Sequence, residues 1–495
     1  MKVAVVTGRL MQSRVREVAE EFGCSVFTAP VDIASFIRLE HLQGVDGFDL
    51  IIFPGYSTLD LNAVEKSLGI KAVLGPKDLS NLGYVLENIE RLVLSKTVPA
   101  CALLTSEMRS RALTEIKQVD SAEIKSRLLK KPGNFVIRDL AVGQDFPMRV
   151  VAEIVDADTM SDSEVVDRAR YYIGQGADII DIGISHKAPA RTAELVGLLR
   201  RLNVSLSVDT MGLDNLNAAI ESGVDLIMSL DKELLEKVRP TNTPVVIVPG
   251  REKYTRLSSR LRTLYENIEL AKERGFTNII ADPILEPVGY GVTDSIAAYS
   301  EIGRKGEVPL LMGIGNVTEL TDADSIGINA FLAGIAMECS VSLLFTTEAS
   351  PKTRGAVSEL KSASNMMFLA KSRATTPKDL GIDLLRLKEK RRVISPAASE
   401  SQRVKAESVV KKPDPLGDFT IHVEEDKLVA LHSRAGKSDV AVEGTSARDL
   451  CDTILRLGLV SEMSHASYLG LELEKAEIAL RTGRSYVQDE TLFHY

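Results

Sequence analysis

Apolar residues along this chain come in short unbroken runs, each followed by a stretch in which they recur every three or four positions. The first run, VAVVT, leads into helix-like spacing over 14–22, then SVFTAP and a second apolar run at 48–53. Short, wholly apolar runs fit strands covered on both faces, and the spacing between them fits amphipathic helices. Residues 1–148 are therefore expected to form an open-sheet α/β domain. From 149 the alternation lengthens and becomes regular, with strands expected at 149–154, 178–183, 204–208, 225–229, 244–248, 278–281, 309–312 and 342–345. Helices are expected at 162–174, 192–202, 213–222, 256–274, 322–339 and 353–370. This rhythm over 149–375 is that of a (β/α)8 TIM barrel, although an open doubly wound sheet has the same periodicity.

Beyond 375 the pattern fails. Residues 376–417 read as a basic linker holding one short basic helix at 384–392, followed by a Ser-, Ala- and Lys-rich stretch with too few apolar residues to offset ordering. Residues 418–495 alternate strand-like and then helix-like runs and are expected to form a small α+β domain. The expected fold class is thus α/β, a central barrel flanked by two smaller domains. The loops TGRLMQ and PGYST of the first domain lack the three spaced glycines of a dinucleotide fingerprint and are read as plain strand-to-helix turns.

Charge narrows the partners. The 495 residues carry 60 Lys and Arg against 69 Asp and Glu, a net charge of -9, which argues against a dedicated nucleic-acid binder. Four scattered cysteines, Cys24, Cys101, Cys339 and Cys451, show neither disulfide nor zinc spacing and fit a cytoplasmic protein with reduced thiols. No targeting segment and no membrane-spanning run are expected, because Met1 leads directly into a strand and no apolar run is long enough to cross a bilayer.

In a barrel the polar residues that end the strands build the active site. Here these are Glu153, Asp181, Asp209 with Thr210, Ser229 with Asp231, Asp282, Asn316 in GIGN, and Glu348 with Ser350. Several carboxylates converge on one rim, which calls for a ligand rich in N–H donors or for a metal, since buried carboxylates without partners are costly. Each also has a structural reading. An Asp that ends a strand often caps the next helix, and that reading is preferred for Asp156, Asp158 and Asp231; Asp162 and Glu164 are helix-start residues. His186 lies in a loop with Lys187 and Arg191, where a solvated basic face accounts for it as well as acid–base chemistry does.

The segments GADIIDIGISHKAPA, LSVDTMGLDNLNAAIESGVDLIMSLD and NIIADPILEPVGYG resemble the pterin-binding barrels, the superfamily of dihydropteroate synthase and the methyltetrahydropterin:corrinoid methyltransferases. The whole chain is most similar to the archaeal dihydropteroate synthase-like proteins. The resemblance implies a pterin whose pyrimidine edge is held by Asp209 and Asp282, with Asp181, Ser229 and Asp231 lining the slot. It also implies a homodimer, and no metal is required for the pterin site.

The departures from the family pattern matter equally. The strand-four Asn of classical synthases is replaced in SLD, so Ser229 or Asp231 must take its place. Their GGxSTRPG loop reads GISHKAPAR, their SRK lysine gives way to GIGNVTEL, and their Arg-Val-His to FTTEASPKTRG. A departing diphosphate needs cations, and Lys187, Arg191, Lys352 and Arg354 are the ones left to contact phosphate. GIGN is instead similar to the methyltransferase loop, in which the resemblance gives Asn316 a catalytic role at the pterin N5.

The implied function is a pterin-binding transferase of methanopterin- or folate-type one-carbon metabolism that joins a pterin methyl carbon to an arylamine. The alternatives are methyl transfer from a methyltetrahydropterin to a thiol or to a corrinoid on a corrinoid protein, a non-catalytic pterin scaffold, and a metal-dependent enzyme using Glu153, Asp181 and Asp209. His465, at a helix start in SHASYLGLELEKAEIALRTG, is read as a cap or packed group ahead of a cobalt ligand.

Overall fold

The computed structural model describes residues 1–77, 79–250, 257–378, 380–388, 404–407, 413–434 and 437–493. The chain divides into two compact units, Met1–Val393 and Ile394–Tyr495.

The first unit opens with a four-stranded parallel sheet of β1 (Val3–Thr7), β2 (Ser25–Thr28), β3 (Leu50–Phe53) and β4 (Lys71–Leu74), in the order β2-β1-β3-β4. Alternate residues face opposite ways. Val6, Ile51, Phe53 and Leu74 pack with Leu61 and Val64 on one side, while Val5, Leu50, Ile52 and Val73 meet Val15, Leu82 and Leu86 on the other. Both faces are covered, which is why these strands read as unbroken apolar runs.

Eight further strands form a closed parallel barrel: β7 (Arg149–Ile154), β8 (Ile179–Ile184), β9 (Ser205–Thr210), β10 (Leu226–Leu230), β11 (Val245–Ile247), β12 (Ile279–Ala281), β13 (Leu310–Gly313) and β14 (Val341–Thr347). β14 pairs with β7, with Leu343 opposite Arg149 and Thr347 opposite Glu153, so the open-sheet alternative is excluded. Local signals start and stop the helices between them. Ser161 and Glu164 form a capping box on helix Asp162–Gln175, which ends on Gly176 at φ 100°, and Pro189 opens helix Pro189–Leu199.

Residues 100–142, which sequence assigns to the N-terminal domain, pack against the barrel. Ala112 and Ile116 of helix Ala100–Val119 join its outer core. The short antiparallel pair β5 (Phe135–Ile137) and β6 (Leu140–Val142) inserts Ile137 and Val142 among Val151, Ile179, Leu226, Met228, Val246, Ile280, Leu311 and Leu343, the inward residues near the start of the barrel strands. That end is sealed with hydrocarbon, which leaves the C-terminal ends of the strands for chemistry.

Three expectations change. Helix Val292–Lys305 was not expected, because its buried face, Ser295, Ala298, Tyr299 and Ile302, is half small or polar. No helix covers the described part of 384–392, residues 384–388; its remaining positions lie outside the described residues. The first part of the expected linker, up to 388, is also tethered rather than free: Leu380 is buried and Ile382 and Leu384 pack on the barrel's outer core.

The second unit is an antiparallel sheet, β15 (Asp418–Glu424), β16 (Lys427–Arg434) and β17 (Lys437–Gly444), with helices Ala447–Arg456 and Met463–Thr482. Phe419, Ile421, Leu428 and Ala430 form one core with Leu450, Ile454, Leu469 and Leu473. Among the described residues no helix is long and apolar enough to cross a membrane.

Candidate active site at the barrel mouth

The period of two along each barrel strand makes the inward layer change character toward the C-terminal end. On β7 the inward residues are Val151 and then Glu153, and on β8 Ile179, Asp181 and Gly183. β9 presents Ser207 and Asp209, since Asp181 lies opposite Ser207 and Gly183 opposite Asp209. Asp282 follows β12, two residues beyond the inward Ile280. Four carboxylates therefore share one mouth.

Gly183 makes the first contact possible, because a Cβ there would lie 2.8 Å from Oε1 of Glu153 and 3.0 Å from the Ile154 carbonyl oxygen. The Ser207 hydroxyl donates to Oδ1 of Asp181, whose Oδ2 is buried and has no hydrogen-bond partner among the described residues. Ser229 sits at φ 58°, where β10 breaks register between Ile227 and Leu230, and its hydroxyl donates to Oδ2 of Asp209 at 3.1 Å. That bulge turns Ser229 toward the mouth. Asp282 accepts from the Ile284 N–H at 2.7 Å and from the Tyr299 hydroxyl on the helix that sequence reasoning missed.

Behind Asp282 lies Arg260, 5% exposed, which sequence reasoning also passed over. Its guanidinium donates to the Ile284 carbonyl at 2.7 Å, to Ser295 Oγ at 3.0 Å and to Glu286 Oε1 at 2.5 Å. It thereby fixes the loop that carries Asp282. The signal for it was weak, since an Arg within a helix pattern ordinarily reads as surface.

Crowding raises the proton affinity of these acids. Burial, then the charges of Asp209, Glu319 and Asp156, pushes Glu153 up to about 7. Asp181 is raised well above the carboxylate range by burial and by Asp209 and Glu153. Burial pushes Asp282 up to about 6 against the opposing hydrogen bond from Tyr299. An acid whose folded value is raised binds protons more tightly in the folded chain, so its contribution to stability falls as pH rises through that value. For Glu153 the loss runs from about 4.5 to about 7. Asp181→Asn, which removes a buried acid crowded by Asp209 and Glu153 and lets the new amide donate to its acidic neighbours, is expected to stabilise the ligand-free protein at pH 7.5 by about 1–3 kcal/mol. Urea denaturation of both proteins checks this, and the gain should shrink at pH 5.

The remaining expected site residues fall outside this cluster. Asp231 caps helix Lys232–Lys237 by accepting from the Leu234 N–H at 3.1 Å. Asn316, exposed on the short helix Gly315–Thr318 after β13, donates to the Leu285 carbonyl at 3.0 Å and so adjoins the Asp282 loop. Lys187 pairs with Asp214 at 2.6 Å, Arg191 with Asp162 at 2.5 Å and Lys352 with Asp322 at 2.7 Å, and exposed Arg354 acts on Tyr171 beside Glu348. Asp158 bonds the Ser185 and His186 N–H groups and His186 Nδ1, a loop anchor. A cavity of about 390 Å³ opens between the loops after β8 and β9, lined by Lys187, Thr210, Met211 and Asn215 among others. Among the described residues no three His, Cys, Asp or Glu side chains form a group that could hold a metal ion.

A sequence model described as "Pterin binding enzyme" matches residues 154–333, and one described as "PterinBD-DUF4346" matches 413–489. The chain is 34% identical to "Uncharacterized protein MJ0107" of Methanocaldococcus jannaschii, over 100% of this chain and 99% of that protein. Solved structures with a similar fold include a Yersinia pestis DHPS with a pterine-sulfa conjugate (20% identity, TM-score 0.41, 48% of this chain and 99% of that one). Another is the Thermus thermophilus dihydropteroate synthase (18%, TM-score 0.38, 47% and 97%).

Proposed function

Because this chain belongs to the archaeal dihydropteroate synthase-like family of pterin-binding proteins, we propose that it is a transferase that holds a reduced pterin in the acidic mouth of its barrel and joins the pterin methyl carbon to an arylamine. The observation that carries this reading is the inward pair Asp209 and Asp282, each already oriented by a hydroxyl donor, from Ser229 and Tyr299. The pyrimidine edge of a pterin presents an amino group and ring N–H groups. Two fixed carboxylates accept them with charge-assisted hydrogen bonds, and the donors relieve the mutual repulsion of the acids. Asp181 and Ser229 line the slot, and the cavity beside the mouth gives the second substrate a place.

In the condensation the arylamine nitrogen attacks the methyl carbon as the C–O bond to diphosphate breaks, and the nitrogen then sheds a proton. Glu153 is suited to take that proton, since its carboxyl titrates near neutrality. The departing diphosphate would draw Lys187 from Asp214 or Lys352 from Asp322, both exposed pairs that cost little to break.

A second reading, methyl transfer from a methyltetrahydropterin to a corrinoid or thiol, is favoured by Asn316. An amide next to the Asp282 loop can follow a ring nitrogen through a protonation change without supplying charge. Turnover of dihydropterin diphosphate with an arylamine, run against methyl-tetrahydropterin with cobalamin, separates the two. Tight binding with turnover in neither would leave a pterin scaffold.

The acids give a further expected result. Donors arriving at Asp282 lower its raised proton affinity, so pterin binding should release protons around pH 6. Calorimetry in two buffers of different ionisation enthalpy measures that number. Release should vanish above about pH 8, where Asp282 is already ionised.

A further inference from the structure

The barrel mouth holds a buried oxygen that the chemistry so far does not use. Asp181, on β8, is 0% exposed, and its inward position is fixed by pairing with Glu153 on one side and with Ser207 on the other. Its Oδ1 accepts from the Ser207 hydroxyl, whereas Oδ2 is buried and meets no partner among the described residues. The charges that act on it are those of Asp209 on β9 and Glu153 on β7, both acids. Together with burial they raise its proton affinity well above the carboxylate range. A carboxylate in this position is unpaired on one oxygen and crowded by two like charges. A carboxylic acid in the same position is neutral and carries an O–H on the free oxygen.

A pterin ring presents lone-pair acceptors, ring nitrogens and a carbonyl oxygen, beside the N–H groups that suit Asp209 and Asp282. Two ionised carboxylates leave those acceptors unmet. The hydroxyls beside the acids are engaged already, Ser207 with Asp181, Ser229 with Asp209 and Tyr299 with Asp282. A protonated acid supplies the donor that this arrangement otherwise wants. Glu153 is less enclosed and titrates at about 7, which suits a group that takes up and gives back a proton. Asp181, with no exposure, suits a group that keeps one. Neighbouring acids whose environments push them apart take opposite roles in this way.

We propose that Asp181 remains a neutral acid in the working protein and donates its Oδ2–H to a lone-pair atom of the bound pterin ring, which makes it a specificity-determining residue of the mouth. The proposal rests on the pterin reading of the barrel. It gives each acid a distinct part: Asp209 and Asp282 accept, Glu153 exchanges a proton, and Asp181 donates a hydrogen bond without giving up its proton.

The test is calorimetric titration of a 7,8-dihydropterin into full-length wild type, Asp181→Asn and Asp181→Leu, repeated from about pH 7 to about pH 9. Both variants replace a buried acid by a neutral side chain of similar size, so both should fold. At about pH 7 Asp181→Asn, which keeps an N–H donor, should bind within about threefold of wild type, and Asp181→Leu, which has none, should bind about 10-fold more weakly or worse. As pH rises wild type loses its donor by ionising and the asparagine variant does not. Wild type should therefore weaken relative to Asp181→Asn, a trend that a purely structural role does not produce. Infrared difference spectra of ligand-free wild type minus Asp181→Asn at about pH 8 should contain the C=O stretch of a protonated carboxyl. Absence of that band, or equal losses of affinity in the asparagine and leucine variants, would overturn the proposal. No binding by wild type would overturn the barrel reading and this proposal with it, an outcome told apart from the others because the infrared band is read without ligand.

Discussion

Replacing Asp282 by alanine is expected to weaken binding of a reduced pterin by about 2–4 kcal/mol, the loss of charge-assisted hydrogen bonds in a dry site. That is about 30- to 1000-fold in Kd. The effect should be large because the rest of the structure is arranged around this carboxylate. Tyr299 and the Ile284 N–H occupy one of its oxygens, and Ile284 itself sits at φ 67° to deliver that N–H. The variant protein should stay folded, since removing a buried acid with a raised proton affinity relieves cost at neutral pH. Asp282→Asn separates charge from shape: it keeps one acceptor and should lose less than alanine does. Calorimetric titration of all three proteins checks the order.

The second large effect concerns a residue that never meets the ligand. Arg260→Met is expected to destabilise the first unit by about 3–5 kcal/mol, because it strips a buried charge from Glu286 and leaves carbonyl oxygens of the Asp282 loop without their donor. Pterin affinity should fall with it, since the guanidinium also favours the ionised form of Asp282. Arg262→Met, two residues away and paired only at the exposed surface with Glu266, should stay within about 0.5 kcal/mol of wild type. Urea denaturation followed by circular dichroism compares them, and equal losses in the two variants would refute the positioning role of Arg260.

Much of this architecture was legible in the sequence, for a physical reason. Strands buried on both faces are short apolar runs, and a closed parallel barrel repeats that signal eight times; β7 falls at 149–154 as expected, and the other seven lie within three residues of expectation at each end. The acids that end strands β8, β9 and β12 were equally visible, because a carboxylate after an apolar run stands out. Other features were hidden. Ser229 faces the mouth only through a bulge at positive φ, which pattern cannot reveal. Tyr299 and Arg260 lie on helices, and their value to the site depends on the tertiary contact that brings Asp282 to them. Asp231, grouped with the slot by resemblance, is engaged by its own helix, the local competitor that the sequence had already offered. The paired hairpin under the barrel was missed because strands of three residues carry too little periodicity to read.

The measurement that bears most directly on the central claim is calorimetric titration of a reduced pterin into wild-type protein and into Asn316→Ala. Saturable one-to-one binding by wild type, retained in Asn316→Ala, is the result expected of a site in which Asp209 and Asp282 hold the pterin and Asn316 does not carry its affinity. If wild type binds no reduced pterin, the likeness to pterin-binding barrels extends to the fold alone, and the functional reading is contradicted.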